Sequence, residues 1–388
     1  MLFTLEALDA RHGDALLLHY GALADPRLIV IDGGPGGVWT KRLRPRLAAL
    51  HASRARGRAL EIVAAVVSHI DDDHVNGILA MLNDVERRRN DGDPADLSVL
   101  GLWHNSFEDL TPKVDPAALA DAAATLKPVA LGGAVPARFG MKRPAALVLA
   151  SVPQGRDLRN VARRLGVPMN LDGQGGLITA PAAGGRRENV GDGLRVTVVG
   201  PLGPQIEALR EEWAKQIARL KKAGKLTPAG LQVTLADYVD RSVNNLSSIV
   251  LLAEAGGKRM LLTGDGRGDF ILEGVRRAGL LKRGRMHVDL LKLPHHGSIR
   301  DVKREFFEQI TADHYVISAD GRFDNPDVDT LKALFAARPK GPYALYLTNR
   351  IPRVAKFLAA KTPKGVRVTT RRSADPSVVV SLGDALKD

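Results

Sequence analysis

The sequence predicts an α/β fold in which two β-sheets are sandwiched between layers of helices. Three observations carry this. Short apolar strands and amphipathic helices succeed one another in two similar halves of the 388-residue chain. The run at 61–68 (EIVAAVVS) is almost continuously apolar, as a strand buried on both faces must be. Lys258 follows Gly256-Gly257, a two-residue hairpin signal between two apolar runs.

The elements read in order as follows. Residues 1–8, 15–20 and 28–31 are three short strands ended by Gly, Asp or Pro, and 38–55 has apolar residues at helical spacing. The buried strand 61–68 precedes a helix over 75–89 and a strand over 98–103. Helices are expected near 116–126 and 156–165, amid Gly- and Pro-rich stretches such as LDGQGG. A strand at 194–199 leads to a charged helix over 205–223 with Ile206, Leu209, Trp213, Ile217 and Leu220 on one stripe. The hairpin strands 247–254 and 258–263 follow, then a helix over 268–278 and a strand over 288–293. A helix (303–310), strand (315–318), helix (326–337), strand (343–347) and helix (352–360) come next, and two last strands fill 366–370 and 377–382. The whole chain, 1–388, is expected to form one domain with insertions at 105–190 and 203–243.

Composition limits the chemistry. Cysteine is absent, which excludes disulfides, thiolate metal sites and a cysteine nucleophile, so any metal must sit on His and carboxylate ligands. No apolar run reaches the roughly 18 residues that a membrane helix needs, and the start lacks a signal-type pattern. A cytoplasmic protein without membrane attachment is the expectation. Lys and Arg number 56 against 43 Asp and Glu, a net charge of +13 that favours polyanionic partners, nucleic acid first.

Three motifs carry candidate chemistry. Ser68-His69-Ile70-Asp71-Asp72-Asp73-His74 stands at the end of the buried strand, with more metal-capable side chains than packing could satisfy. A tight loop would let His69 and Asp71 face one metal while Asp73 and His74 reach another, with Asp72 left to cap the helix. Leu293-Pro294-His295-His296-Gly297 offers a ligand and a proton-transfer group at a second strand end. Thr263-Gly264-Asp265-Gly266 places a carboxylate between glycines at a third. Asp32, in Ile31-Asp32-Gly33-Gly34, reads as a residue supporting a ligand or facing a phosphate.

In this order the motifs resemble the metallo-β-lactamase superfamily, whose usual His-x-His-x-Asp-His becomes His-x-Asp-x-Asp-His here. That variant, with LPHHGS, LLTGD, the His12-Gly13-Asp14-Ala15 turn and Asn244-Asn245-Leu246-Ser247-Ser248, is similar to the C-terminal hydrolase domain of bacterial competence DNA-uptake channel proteins. The resemblance covers 1–104 and 194–350. It implies a four-layer αββα sandwich and one or two divalent metal ions, Zn or Mn. His69, Asp71, Asp73, His74, Asp265 and one of His295 and His296 (His296 being our choice) would hold them, with Asp265 bridging. It also implies nuclease activity.

Three departures stand out. No channel portion is read in these residues, so a free-standing relative is the expectation. Val199-Gly200-Pro201 occupies the place of a further ligand His, for which His104 could substitute. Asn325 stands before Pro326 where the competence-type domains often show His.

The expected activity is metal-assisted phosphodiester hydrolysis of nucleic acid. Asp73, Asp265 and His295 would be catalytic, and Lys292, Arg267 and Arg300 are candidates for holding phosphate. Alternatives are a hydrolase of small esters, lactones or cyclic nucleotides, and a non-catalytic metal- or nucleic-acid-binding partner.

Overall fold

The computed structural model describes residues 1–54, 57–106, 143–171, 176–223 and 248–386. Two sheets face each other. The first has six strands in the order β16-β1-β2-β3-β5-β7. Of these, β1 (Leu2–Leu8), β2 (Leu16–Ala22), β3 (Asp25–Ile31) and β16 (Ser377–Ser381) are antiparallel neighbours, while β5 (Ala64–Val67) and β7 (Leu102–His104) join in parallel. The second has eight strands in the order β15-β14-β13-β12-β11-β10-β9-β8. Its antiparallel half is β8 (Arg186–Gly191), β9 (Leu194–Gly200), β10 (Val250–Ala255) and β11 (Lys258–Leu262). Its parallel half continues from β11 through β12 (Met286–Lys292), β13 (Ile310–Ile317), β14 (Tyr343–Leu347) and β15 (Val366–Thr370).

Period-2 alternation builds the layers. In β2, Leu16, Leu18 and Tyr20 enter the core between the sheets, where they meet Val196, Val198, Leu251, Met260 and Leu290 of the opposite sheet. Leu17 points the other way. It packs with Val30 and Val67 under α1 (Arg44–Arg54), α2 (Asp72–Asp91) and α3 (Arg143–Leu165), through Leu47, Ile78 and Leu158 among others. The outer face of the second sheet is covered by α5 (Gly268–Arg277), α6 (Arg304–Gln309), α7 (Val328–Ala337) and α8 (Pro352–Lys361), which bring Val275, Phe306, Leu334 and Leu358 onto Val288, Tyr315 and Leu345. The chain is thus the four-layer αββα sandwich that the sequence predicts.

Several elements differ from the sequence reading. The run 61–68 is two strands: β4 (Leu60–Ile62) leaves the sheet to pair with β6 (Leu97–Val99), and only β5 continues in it. The strand expected at 98–103 divides likewise into β6 and β7. Helix α3 is longer than 156–165 and runs through Pro153. Residues 105–190 are not wholly an insertion, because β8 is an edge strand of the main sheet and Ile178 and Ala180 are buried between the sheets. The expected helix at 116–126 and residues 244–247 lie outside the described residues. So do the side chains of Leu209, Trp213, Ile217 and Leu220 on α4 (Gly203–Lys222), whose Ile206 is buried.

Candidate metal centre

Strands β3, β5, β11, β12 and β13 all deliver their carboxyl ends to one edge of the sandwich. From these ends come Asp32, Ser68-His69, Asp265, His295-His296 and Ser318. Sheet edges of this kind, where chains leave parallel strands, are the usual ligand crevices of α/β folds. A hydrogen bond from the Ile249 amide to the Ser68 carbonyl, 2.8 Å long, ties the two sheets together there.

Asp73 and His74 sit in the first turn of α2 rather than in a loop. The helix starts at Asp72, and Asp71 is its N-cap residue with extended backbone. Helix α2 rests directly on the turn after β3: the Gly33 amide donates to the His74 carbonyl (2.8 Å) and the Gly77 amide to Gly34 (3.1 Å). The approach requires glycine, since a Cβ on Gly77 would lie 1.9 Å from the Gly33 carbonyl oxygen. Asp72, expected to cap the helix, is instead its first residue, and its carboxylate accepts hydrogen bonds from the side chains of Asn76 and Gln154 rather than from a helix amide.

Asp265 is the hub. Its Oδ1 lies 3.4 Å from His74 Nε2. Its Oδ2 lies 3.5 Å from His296 Nε2, 3.6 Å from His295 Nε2 and 3.9 Å from His69 Nε2. Asp73 completes the ring, with its two oxygens 3.8 Å from His74 Nε2 and 3.6 Å from His296 Nε2. Asp71 meets the cluster through His69, whose Nε2 is 3.5 Å from its Oδ2. Ligand atoms within 4.8 Å of one another form the sets His69-His74-Asp265, Asp73-His74-His296 and Asp14-Asp265-His296.

The decisive feature is how each imidazole is oriented. The Nε2 atoms of His69, His74 and His296 are buried and have no hydrogen-bond partner. The opposite nitrogens are all held. His74 Nδ1 is 2.9 Å from Asp32 Oδ2, His69 Nδ1 is 3.1 Å from Ser68 Oγ, and His296 Nδ1 donates to the Ser318 carbonyl at 2.9 Å. Asp32 is itself fixed by the Ser68 amide and hydroxyl, both at 2.7 Å. Three buried nitrogens without partners, aimed at one carboxylate and braced from behind, are costly in any other setting. They are the arrangement that imidazole ligands of a metal adopt. Charge agrees. With the histidines neutral, as ligation requires, Asp14, Asp32, Asp71, Asp73 and Asp265 face the single ammonium of Lys292, a surplus that two divalent cations would balance. The residues present therefore fit the metal that the motifs imply.

The field inside the cluster is strong. Burial alone would push the His74 and His296 pKa values down, but the carboxylates of Asp265, Asp32 and Asp73 around His74, and of Asp265 and Asp14 around His296, raise both well above the ordinary value. Burial would likewise raise Asp265, yet His296, His74 and His295 hold it well below the usual carboxylate range.

His295 stands apart from His296. Its ring is about a third exposed, and its Nδ1 is 2.6 Å from Asp301 Oδ2. Both residues adopt left-handed backbone, with φ of 47° and 54°, a strained pair of a kind that collects at functional sites.

No family model matches the chain, and no curated protein matches it. Among solved structures, the metallo-β-lactamase fold protein YhfI from Bacillus subtilis aligns over 97% of this chain and 99% of its own, at 9% identity with a TM-score of 0.37.

The structure brings His69, Asp71, Asp73, His74, Asp265, His295 and His296 to one place. Lys292 is a correction to the sequence reading. It is completely buried, ion-paired with Asp14 and 3.3 Å from the Gly264 carbonyl, so it cannot reach a phosphate arriving from solvent. Arg267 is half-buried, clamped by Asp269 at 2.6 Å and laid over Phe270. Arg300 is exposed. His104 is buried and joins none of the ligand sets among the described residues. Sequence reasoning gave no role to Asp14, buried 3.5 Å from His296 Nδ1, or to Asp301 and Ser318. The Gly13-Asp14 turn was visible only as part of the resemblance, and the other two carry no local signal. Among the described residues no helix is long and apolar enough to cross a membrane.

Proposed function

We propose that this protein is a metal-dependent hydrolase that cleaves phosphodiesters of nucleic acid. The observation that carries the metal reading is the convergence of the unpartnered Nε2 atoms of His69, His74 and His296 on Asp265. His69, Asp71 and Asp265 would hold one divalent ion, and Asp73, His74, His296 and Asp265 a second. Divalent ions bound there would supply Lewis acidity, polarising a phosphoryl oxygen and acidifying water.

The protein's own groups divide the remaining work. Asp73, with about a fifth of its side chain exposed, orients the attacking water and takes its proton. His295 stands at the rim with Asp301 behind it, placed to give a proton to the departing oxygen as the phosphorus–oxygen bond breaks. Asp32, Ser68 and Ser318 keep the ligand imidazoles in the tautomer that ligation needs. The net charge of +13 and the competence-type form of the motif support nucleic acid as the substrate class.

The test is cleavage of single- and double-stranded DNA and RNA by purified protein with Mn²⁺, Mg²⁺ or Zn²⁺. Metal-dependent cleavage that is lost in Asp265→Ala supports the reading. A metal-loaded protein that cleaves none of these polymers overturns it, and cleavage of a small phosphodiester alone would move the substrate to that class.

A further inference from the structure

We infer that Phe323 and His12 form an aromatic platform beside the metal cluster on which a base of single-stranded nucleic acid stacks. The inference rests on the nucleic-acid reading above and narrows it to strands whose bases are unpaired. At 59% exposure, Phe323 is the most exposed large hydrophobic side chain among the described residues. Its backbone is held in the left-handed region, φ 57° and ψ 21°, which a bulky aromatic rarely occupies without compensation. The ring is nevertheless placed: His12 meets it edge-on, with centroids 5.6 Å apart and planes at 84°.

Both residues are attached to the cluster by short links. Gly13, next to His12, accepts a hydrogen bond from Ser318 Oγ at 2.7 Å, and the Ser318 carbonyl holds His296. The same turn rests on α2, where the Asp14 amide donates to the Asp73 carbonyl at 3.3 Å. The Phe323 loop runs into Pro326 and Asp327. The Asp327 amide donates to the Gly297 carbonyl (3.1 Å), and its carboxylate accepts from the Ile299 amide (2.8 Å). Arg322, exposed, directly precedes Phe323 in the chain, and Arg300, also exposed, follows Ile299 on the loop that Asp327 holds. An exposed aromatic face flanked by arginines is the standard means of binding unpaired bases without sequence preference, because every base offers a π-face while the cations follow the backbone.

The experiment measures the affinity of metal-loaded protein for a fluorescent oligo-dT and for an abasic strand of equal length, alongside sedimentation. Phe323→Ala and Phe323→Gly should each weaken oligo-dT binding about tenfold and abasic binding less than twofold, with Phe323→Trp restoring the first. The glycine variant relieves the backbone strain, so it should be at least as heat-stable as the parent and keeps the test independent of folding. Equal losses on both strands, or no loss on either, overturn the platform while leaving the hydrolase reading intact. A change in sedimentation without a change in oligo-dT affinity assigns Phe323 to self-association and overturns it too. A parent protein that neither binds nor cleaves nucleic acid overturns the platform and the substrate class together.

Discussion

His74 is gripped from behind by Asp32, with Nδ1 and Oδ2 2.9 Å apart, while its Nε2 stays without a hydrogen-bond partner. Asp32 thus fixes which nitrogen of His74 is free to bind a cation. Asp32→Asn should lower divalent-metal affinity about 10- to 100-fold without unfolding the chain. Titration calorimetry with Zn²⁺ or Mn²⁺ measures this. An unchanged affinity would mean that Asp32 serves packing alone.

Lys292 and Asp14 form a fully buried ion pair next to His296. Removing one partner leaves the other charge stranded in a low-dielectric environment. Lys292→Met should therefore cost about 3–5 kcal/mol in urea-induced unfolding. If Lys292 acted on phosphate, the loss would instead appear as weaker substrate binding at unchanged stability.

The contact between Gly77 and Gly33 sets the height of α2 over the turn that carries Asp32. Gly77→Ala should force the helix away at a cost of about 1–3 kcal/mol. Because Asp73 and His74 ride on that helix, metal affinity should fall as well. Thermal unfolding with and without Mn²⁺ checks both, and a fully retained metal-induced shift would contradict the linkage.

A second buried cluster supplies a pH dependence away from the metal. Glu6 is completely buried between Arg46 (2.7 Å), His19 (3.1 Å) and Ser377 (2.6 Å). Burial opposes its ionisation, but His19 and Arg46 outweigh it and bring its pKa to about 2 from 4.5. The folded state thus binds fewer protons than the unfolded one, so the stabilisation is complete above about pH 4.5. It is lost as the pH falls towards 2, to the extent of about 3 kcal/mol. His19, whose pKa burial lowers despite Glu6, costs stability in the same direction, beginning as the pH falls through the ordinary histidine range, where the unfolded chain takes up a proton that the folded one does not. Glu6→Gln should flatten this acid limb in pH-dependent urea unfolding, and a limb of unchanged depth would contradict the assignment.

Much of this was legible in the sequence because metal ligands are polar groups at places where packing alone would demand apolar ones. His69, Asp265 and His296 each follow a buried strand, and strand ends are readable from where apolar runs stop. What a sequence does not carry is burial of a single charge. Lys292 looks like a surface cation because nothing local announces Asp14, which lies far away in the chain. Edge strand β8, Arg186-Arg187-Glu188-Asn189-Val190-Gly191, was missed because one open side leaves it without the apolar alternation of its neighbours. The helix expected near 156–165 begins earlier, and α3 runs through Pro153 and Gly155 while packing on α2 with Leu158, Val161 and Ala162. Tertiary burial there outweighed local propensity.

The central claim is that the unpartnered imidazole nitrogens around Asp265 exist to hold divalent cations. Elemental analysis of the purified protein after equilibration with Zn²⁺ or Mn²⁺ and removal of excess tests it most directly. One to two equivalents per chain in the parent, falling to less than half an equivalent in a folded His74→Ala/His296→Ala double variant, is the expected result. A correctly folded parent that retains no metal would contradict it.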